Sequence, residues 1–323
     1  MKKIKVGIVG GAGYTAGELI RILIYHPQVE IIFINSKSNA GKKIAEVHSG
    51  LIGETELQFT SELPFEKVEV LFLCLAHGES KQFIKTNKIP VDIKIIDLSM
   101  DFRLDKNSDF VYGLPELQSE EIKAAIHVAN PGCFATAIQL PLLPLAKNGL
   151  LTTEIHVSGI TGSTGAGVKL SETSHFSWRN NNVSIYKAFT HQHLQEIKQT
   201  LHQLQPSFDQ QVNFIPMRGN FTRGILVSCY TNCYLNENEI KKIYQDFYKT
   251  SAFTFIIDKN PDIKQVVNTN KALLYLEKHN EKLLVICVID NLLKGASGQA
   301  VQNMNLMCNI DEKTGLQLKA TGF

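Results

Sequence analysis

The segment Ile4-Lys5-Val6-Gly7-Ile8-Val9-Gly10-Gly11-Ala12-Gly13-Tyr14-Thr15-Ala16-Gly17 decides the fold of the first part of the chain. Its first six residues form an apolar run typical of a strand, and its glycines lead into an amphipathic helix that ends near His26-Pro27. A second apolar run, Val29 to Ile34, follows at once. This order of strand, glycine turn, helix and strand predicts a Rossmann-type unit, in which amides at a helix N-terminus hold a pyrophosphate.

The glycine turn supplies the first predicted cofactor contacts. Its glycines have the spacing G-x-x-G-x-x-x-G, which differs from the usual G-x-G-x-x-G. A plain α/β crossover with glycines for tight packing is the alternative, but the order of the surrounding elements favours the cofactor site. The predicted contacts in this turn are Gly10, Gly13, Tyr14, Thr15 and Ala16.

The residues that end the second strand decide which dinucleotide is expected. An NAD enzyme would place Asp or Glu there for the ribose 2′-hydroxyl, whereas this chain has Asn35-Ser36-Lys37-Ser38, followed by Gly41-Lys42-Lys43. Hydroxyl groups and a lysine suit a 2′-phosphate, so Ser36, Lys37 and Ser38 predict NADP. A basic loop in solvent is the alternative, since surface lysines are common.

Three further apolar runs predict more strands of the same sheet. They are Val68 to Leu75, Ile93 to Leu98 and Ile126 to Ala129. His77, Arg103 and Cys133 follow these runs, and ligands of parallel sheets collect at the carboxyl ends of the strands. We therefore expect the three side chains on one edge together with the cofactor. Arg103 suits a phosphate or carboxylate, and a salt bridge to Asp101 or Asp105 is the alternative.

Cys133 lies in the stretch Asn130-Pro131-Gly132-Cys133-Phe134-Ala135-Thr136. The apolar run that follows, Ala137 through Leu145, predicts a helix at least as far as Pro141. Cys133 would then stand in the first turn, where unpaired N–H groups and the macrodipole stabilise a thiolate. This position predicts a nucleophile, and a small buried core residue is the alternative.

The pattern changes after Gly149, where alternating runs and one continuous apolar run surround two helical segments, His191 to Leu204 and Glu237 to Lys249. Long strands with few helices favour a mixed or antiparallel sheet, and so an α+β second domain. A last helical segment, Gly298 to Leu306, is expected to pack back onto the first domain. The predicted strands are Thr153 to Ile160, Val212 to Ile215, Ile225 to Tyr234, Phe253 to Ile257 and Leu283 to Ile289.

The helix that starts near His191 carries the second chemical feature. His193 and Glu196 are three residues apart and share a face, so the carboxylate can orient the imidazole. The helix N-terminus favours a neutral imidazole near pH 7, which suits a general acid or base. A surface histidine with a carboxylate neighbour is the alternative.

Length and composition agree with two domains. A chain of 323 residues exceeds the size at which single cores stop growing, and its net charge of +2 gives no reason to expect nucleic acid or an anionic membrane. No apolar run reaches the roughly 18 residues of a membrane helix, so a cytoplasmic protein is expected. The six cysteines lack the spacing of a zinc or redox site, and no metal is predicted.

These motifs together resemble the N-acetyl-γ-glutamyl-phosphate reductase family of NADPH-dependent arginine-biosynthesis enzymes, within a wider group that includes aspartate-semialdehyde dehydrogenase. The motifs that carry the resemblance are the glycine turn, Asp97 to Arg103, Tyr112 to Leu117, Ala129 to Thr136, Gly159 to Gly167, the His191 helix and Asp290 to Asn303. The expected fold class is α/β, with a Rossmann-type NADP domain and a second α+β domain for catalysis and dimerisation. The expected boundaries are 1–131 plus 292–323 for the first and 132–291 for the second.

The resemblance also implies a reaction and roles for the site residues. Cys133 would attack an N-acyl-L-glutamyl 5-phosphate and form a thioester, which NADPH would reduce to the semialdehyde. His193 would be the acid/base, oriented by Glu196, with His191 as the less favoured candidate. Arg103 would anchor a phosphate or carboxylate. The further cofactor contacts implied are Ser163 and Gly165 in a loop, and Asn291, Gln302 and Asn303 at the nicotinamide end.

Three positions depart from the family pattern. Gln192 replaces an arginine and Gln195 a proline in the helix motif, and Val168 stands where the glycine loop usually ends in arginine. Arg218 and Arg223 are the candidates to compensate as substrate-binding residues. These departures lead to the hypothesis of a rebuilt pocket that takes an N-succinyl in place of an N-acetyl substrate.

Two other functions stay open at this point. One is a reductase of another acyl phosphate, such as aspartyl or aminoadipyl phosphate, and the other is a non-catalytic NADP-binding sensor module with a structural Cys133. The expected partners are a small acyl phosphate and, since second domains with antiparallel sheets often associate in pairs, further copies in a homodimer or homotetramer. No nucleic acid or membrane partner is expected.

Overall fold

The structure is a computed structural model that describes residues 2–105 and 107–322, and within them the chain forms two compact units. Unit 1 consists of Met1–Pro131 and Ala296–Gln317, and unit 2 of Gly132–Gly295 and Leu318–Phe323. The sequence prediction places residues 292–323 with the first domain, whereas the structure assigns 292–295 and 318–322 to unit 2. The reason is hydrogen bonding, because Gly295 N–H donates to Asp290 O and the Asn268 side chain donates to Lys319 O.

Unit 1 is built on a seven-stranded sheet in which every pair of neighbours is parallel. Its strands are β1 (Ile4–Val9), β2 (Val29–Asn35), β3 (Phe59–Thr60), β4 (Val70–Leu73), β5 (Lys94–Asp97), β6 (Phe110–Tyr112) and β7 (His127–Ala129). The spatial order is β3-β2-β1-β4-β5-β7-β6, so the winding reverses between β1 and β4. Ligands of open parallel sheets bind outside the strand ends at such a reversal.

Along the sequence, four helices of unit 1 connect these strands. They are α1 (Tyr14–Leu23), α2 (Ile44–Val47), α3 (Glu79–Thr86) and α4 (Pro115–Ala124). The buried positions of α1 recur at helical spacing, which explains why the predicted amphipathic helix forms there. Part of the core of unit 1 is a cluster that joins Val9, Phe33, Leu71 and Leu73 from three adjacent strands.

Unit 2 contains a second seven-stranded sheet, and its pairing is mixed as predicted. Its strands are β8 (Ile155–Thr161), β9 (Ser184–Ile185), β10 (Val212–Arg218), β11 (Ile225–Asn232), β12 (Thr254–Ile257), β13 (Ala272–His279) and β14 (Lys282–Ile289). The spatial order is β12-β13-β14-β11-β8-β10-β9, in which β12 with β13 and β8 with β10 are the parallel pairs. The other neighbours are antiparallel.

The helices of unit 2 are α5 (Cys133–Lys147), α6 (Phe176–Arg179), α7 (His193–Leu204) and α8 (Glu237–Tyr248). Every residue of α5 from Phe134 to Ala146 is buried, because the helix packs against α7, α8, β11 and β14. α5 continues through Pro141 and Pro144, although proline lacks the N–H that a helix interior uses. The carbonyl of Leu140, four residues before Pro144, accepts a hydrogen bond from the Tyr248 hydroxyl instead.

The chain then returns to unit 1 as α9 (Ser297–Met307), which packs against α1, α4 and β5. This confirms the predicted C-terminal helix and its return to the first domain. Among the described residues, no helix has both the length and the hydrophobicity needed to cross a membrane.

Candidate active site

Cys133 is the first residue of α5 and follows Gly132, whose extended backbone caps the helix. The sulfur therefore lies at the N-terminal end of a 15-residue helix, where free N–H groups and the macrodipole favour a negative charge. Cys133 is partly exposed, as are Cys74 and Cys308, whereas Cys229, Cys233 and Cys287 are buried. Burial raises the pKa of Cys74 to about 12 and that of Cys308 to about 11, so these thiols stay protonated.

Glu196 connects the turn that carries the cysteine to the histidine helix. Its Oε2 accepts a hydrogen bond of 3.0 Å from Gly132 N–H, and its Oε1 lies 3.8 Å from Nε2 of His193. Both side chains are buried in the first turn of α7, which packs against α5. The carboxylate thus lies between the backbone next to Cys133 and the imidazole of His193. The structure brings together these three residues within unit 2.

His191 lies two residues before α7 and is enclosed by rings. Burial, with the positive charge of Lys187 as a smaller cause, lowers the pKa of His191 to about 4, so the imidazole is neutral at pH 7. Its Nδ1 accepts a hydrogen bond of 3.3 Å from His193 N–H. A neutral ring with one nitrogen occupied is less suited to proton transfer than His193. The surrounding aromatic rings are Phe134, Tyr186, His193 and Phe214.

Arg218 and Tyr186 form a cationic group in the same unit. The guanidinium of Arg218 lies 4.9 Å from the centre of the Tyr186 ring. Burial, with the charge on Cys133 as a smaller cause, raises the pKa of Tyr186 to about 12. Within residues 2–105 and 107–322, no carboxylate pairs with Arg218, and its buried Nε has no hydrogen-bond acceptor. This side chain can hold an anion.

Arg179, which sequence analysis did not single out, donates a hydrogen bond to the backbone of Arg218. Arg179 is buried and donates hydrogen bonds to the carbonyl of Arg218 at 2.6 Å and to the hydroxyl of Ser184. Its guanidinium also lies 4.7 Å from the centre of the Trp178 ring. Burial lowers the pKa of Arg179. No local pattern could have revealed this contact, because it joins α6 to the end of β10.

Arg223 differs from Arg218 because it has a buried counter-ion. Its Nε and Nη2 lie 3.1 and 3.0 Å from Oδ2 of Asp290. The same carboxylate accepts hydrogen bonds from the backbone of Asn268 and Leu292, so it holds the turn after β14. The predicted role of Arg223 in substrate binding stays a prediction, with its charge largely compensated by Asp290.

Asn291, Ser163 and Gly165 belong to unit 2, where they form one hydrogen-bonded group of turns. Asn291 Oδ1 accepts from Gly224 N–H at 2.7 Å, and its Nδ2 donates to the hydroxyl of Thr164 at 3.0 Å. Ser163 and Gly165 lie in the 3₁₀ turn that this bond fixes. The amide of Asn291 is therefore engaged within the protein at both ends, and its predicted contact with a nicotinamide stays untested.

The glycine turn of unit 1 has the shape that a pyrophosphate needs. Gly10 has φ of +79°, and a Cβ there would lie 2.5 Å from the carbonyl oxygen of Cys74. Gly13 caps α1, and an added Cβ would meet no atom within 4 Å, so the space before the helix is open. The first amides of α1, at Tyr14, Thr15 and Ala16, have no partner within the helix. These residues fit a dinucleotide.

The end of β2 presents hydroxyl groups and a lysine, and the sequence from Asn35 to Lys43 contains no acid. Lys37 and Ser38 are exposed in a 3₁₀ turn, and Asn39 donates to the hydroxyls of Ser36 and Ser38. The side chain of Asn35, at the position where an acid would bind a ribose, donates instead to Thr60 O at 3.1 Å. This chemistry fits a 2′-phosphate.

Arg103 and His77 lie at the carboxyl ends of strands in unit 1, as predicted. Arg103 is buried, and its Nε and Nη2 donate to the carbonyls of Asn130 and Leu98 at 2.8 and 2.9 Å. Its observed contacts therefore brace the segment that leads to Cys133, and its role as an anion anchor stays a prediction. His77 Nδ1 accepts from Met100 N–H at 3.2 Å. Asp101 and Asp105 have other partners, namely the N-terminus of α3 and Lys81.

Gln302 and Asn303 are buried in α9 of unit 1. Gln302 donates to the carboxylate of Glu312 at 2.9 Å, and Asn303 donates to Gly113 O and to Asn130 Oδ1. Asn303 Oδ1 is buried and accepts no hydrogen bond from the described residues. Of the two, Asn303 keeps an acceptor that a carboxamide could use.

Comparison with known proteins identifies the family. A model described as the semialdehyde dehydrogenase NAD-binding domain matches residues 5–125, and one described as the semialdehyde dehydrogenase dimerisation domain matches residues 133–291. Proteins named N-acetyl-gamma-glutamyl-phosphate reductase from Parabacteroides distasonis and Phocaeicola vulgatus are 61% and 62% identical over 99% of this chain and 100% of their own. The chain therefore belongs to the semialdehyde dehydrogenase family, and within it to the N-acetyl-γ-glutamyl-phosphate reductases.

Solved structures support the same architecture. Aspartate semialdehyde dehydrogenase II from Vibrio cholerae matches with a TM-score of 0.73 at 15% identity, over 96% of this chain and 99% of that one. The NADP-bound aspartate semialdehyde dehydrogenase of Candida albicans also has a TM-score of 0.73, at 13% identity, over 95% and 99% of the two chains. At this identity the likeness shows the fold alone. The NAD-binding domain of the family establishes a nicotinamide cofactor.

Proposed function

We propose that the protein reduces an N-acyl-L-glutamyl 5-phosphate to its semialdehyde with NADPH, through a thioester on Cys133, in arginine biosynthesis. The observation that carries the proposal is the position of Cys133 at the start of α5, linked through Gly132 and Glu196 to His193. The names and full-length similarity of the relatives support N-acetyl as the acyl group.

The side chains of unit 2 account for the covalent steps. The Cys133 thiolate attacks the acyl carbon, the bond from carbon to the phosphate oxygen breaks, and inorganic phosphate leaves. A bound nicotinamide cofactor supplies the hydride that reduces the thioester. His193 donates a proton to the oxygen on which charge develops, and takes it back when the bond between carbon and sulfur breaks. Glu196, 3.8 Å from His193, stabilises the imidazolium that carries this proton before it is donated and after it returns.

Within this proposal the cofactor is NADP rather than NAD. Ser36, Lys37 and Ser38 offer hydroxyls and a positive charge at the end of β2, and no acid occurs from Asn35 to Lys43. A carboxylate there would bind a ribose hydroxyl and repel a phosphate. We therefore expect a clear preference for NADPH over NADH in kcat/KM.

Arg218 is our candidate for the anion-binding part of the substrate pocket. It lacks a carboxylate partner among the described residues and lies beside Tyr186, whose pKa is raised in part by the charge on Cys133. Arg223 is paired with Asp290, so Arg218 is the better candidate to compensate for the missing family arginines at Val168 and Gln192. An N-succinyl substrate, which brings a second carboxylate, is the alternative acyl group that this arrangement supports.

We further propose that the protein forms a homodimer or homotetramer through unit 2, and that it is cytoplasmic. The family model for this unit is described as a dimerisation domain. One face of its sheet carries partly exposed residues at every second position of β8 and β11, including the stacked pair His156 and Tyr230. Such a face is suited to packing against a second copy.

The reaction is tested in the back direction, by NADP⁺ reduction with N-acetylglutamate semialdehyde and phosphate. We expect phosphate-dependent NADPH absorbance from the wild type, a loss of at least about a thousandfold in Cys133→Ala, and little change in the control Cys308→Ala. N-Succinylglutamate semialdehyde in a parallel assay identifies the acyl group from the higher kcat/KM. Activity with aspartate semialdehyde alone, or an active Cys133→Ala, would contradict the proposal.

A further inference from the structure

His48 is a side chain of unit 1 that the reaction proposed above does not use. It follows α2, and its Nε2 lies 2.7 Å from the carbonyl oxygen of Gly11. A carbonyl oxygen only accepts, so Nε2 carries the hydrogen of this bond. We propose that His48 is a positioning residue that holds the glycine turn in the form that binds the phosphates of the nicotinamide cofactor. The inference rests on the cofactor site proposed for this turn.

The first step concerns the peptide between Gly11 and Ala12, which is anchored by two bonds at Gly11. Gly11 N–H donates to Asn35 O at 2.8 Å, and Gly11 C=O accepts from His48. In a planar trans peptide the N–H of Ala12 points opposite to the carbonyl of Gly11, and so away from His48. Ala12 is partly exposed, and its N–H has no acceptor among the described residues. His48 therefore aims an available N–H outward, as anion binding by a backbone turn requires.

The second step explains the unusual glycine spacing. A Cβ at Gly17 would lie 2.6 Å from Nδ1 and 2.9 Å from Cε1 of His48, so α1 needs glycine there to admit the ring. Gly10 provides the positive φ of the turn, and Gly13 leaves the space in front of α1 open. In this chain the third glycine makes room for a histidine behind the turn.

The third step concerns how the ring is held. The ring of Phe59, in β3, lies 6.2 Å from that of His48, and Ile44 at the start of α2 is buried and donates its N–H to Leu57 O. The short helix that precedes His48 is thus attached to the segment that leads into β3, the strand beside β2. The imidazole therefore contacts the glycine turn from a segment that is itself held in place, as a positioning role requires.

The direct test measures NADPH affinity by the change in cofactor fluorescence, with the full-length protein. His48→Ala should weaken binding about fivefold, the effect of one lost hydrogen bond of ordinary strength. His48→Gln, whose Nε2 can donate in place of the imidazole, should recover most of the affinity. His127→Ala removes a histidine that pairs with Asp109 at the other end of the same sheet, and it should bind NADPH like the wild type.

A double-mutant cycle separates positioning from a general loss of structure. Gly17→Ala should also weaken NADPH binding about fivefold by displacing the ring, without lowering the melting temperature, since alanine favours a helix more than glycine does. In the His48→Ala background the methyl group has room, so Gly17→Ala should cost nothing more. Additive losses in the double variant, or wild-type affinity in His48→Ala, would overturn the inference.

Kinetics give a second readout that an unfolded variant could not imitate. At saturating NADPH, His48→Ala should keep the wild-type kcat and KM for the acyl phosphate, and only KM for NADPH should rise. A fall in kcat with unchanged NADPH affinity would count against a positioning role. If the wild type itself failed to bind NADPH, the proposed cofactor site would be wrong. This outcome is distinct from wild-type NADPH affinity in His48→Ala, which would contradict only the role of His48.

Discussion

Gly295 shows how a residue without a side chain can hold the nucleophile in place. An added Cβ would lie 2.7 Å from Cβ of Cys133 and 2.6 Å from the carbonyl oxygen of Asn291. The carbonyl belongs to the turn that the buried Asp290 carboxylate fixes through backbone hydrogen bonds, so it cannot easily move. The cysteine would have to shift instead.

We therefore expect Gly295→Ala to lower kcat by about 10- to 100-fold, because small displacements of a reacting group are costly. The rate at which iodoacetamide alkylates Cys133 should also fall, and this rate measures the reactivity of the thiol without any substrate. Gly50→Ala is the matched control, since an added Cβ there would meet no atom within 4 Å. A Gly295→Ala enzyme with wild-type kcat and alkylation rate would show that the contact is unimportant.

At this scale the sequence predicted residue types better than contacts. Cys133, His193 and Glu196 could be chosen because helix geometry brings residues three apart together and puts Cys133 in a first turn. The sequence offers no comparable local signal for His48 or Tyr186, since their partners lie 37 and 32 residues away in the chain. Arg103 and Asn291 were expected to contact ligands, and both are engaged by the backbone of their own unit.

Among the elements, α5 is the one whose stability depends most visibly on a neighbour. Pro144 cannot donate to the carbonyl of Leu140, and a buried carbonyl without a partner is costly. The hydroxyl of Tyr248, at the end of α8, supplies the missing hydrogen bond. Sequence patterns extended this helix at least to Pro141, and only tertiary contact explains why it continues to Lys147.

We predict that Tyr248→Phe lowers the free energy of unfolding by about 1–3 kcal/mol, because it leaves that carbonyl unsatisfied. Urea unfolding measures the loss, and Tyr25→Phe, whose hydroxyl contacts the exposed Glu54, should have little effect. In a Pro144→Ala background the helix regains its own donor, so Tyr248→Phe should cost less. An equal cost in both backgrounds would contradict this explanation.

The strands were predictable to the extent that their side chains alternate or form long apolar runs. β8, β11 and β14 follow this rule and were predicted within three residues at each end. β3 and β6 have only two and three residues, too few for any period to show. β13 alternates in its burial but was not predicted, since its sequence ends in charged residues next to a turn.

At the scale of the whole molecule, both units contain a buried histidine whose pKa is lowered by burial. In unit 1, burial lowers the pKa of His26, whose Nδ1 accepts from Gln28 N–H. In unit 2, burial lowers the pKa of His191 to about 4. Below pH 6.5 these two histidines bind protons in the unfolded chain more readily than in the folded protein, because their pKa values are lower when folded. Acid therefore favours unfolding of both units.

We expect stability to fall as the pH decreases through 6.5, and His191 alone should account for roughly 2 kcal/mol between pH 7 and pH 5. Denaturant unfolding at the two pH values measures the difference. His191→Phe should flatten the dependence even if it lowers stability overall, whereas His279→Gln, on the exposed end of β13, should leave it unchanged. An equally steep dependence in His191→Phe would show that other groups cause it.

The stacking of Arg179 on Trp178 gives the protein a built-in optical reporter. Trp178 is the sole indole of the chain, and Arg179 also binds the carbonyl of Arg218, our candidate anion site. Tryptophan emission therefore comes from one known place, free of the averaging that complicates proteins with several tryptophans. A carboxylate that enters beside Arg218 should alter this signal, so substrate and acyl analogues can be ranked by fluorescence titration without the cofactor, before any turnover begins.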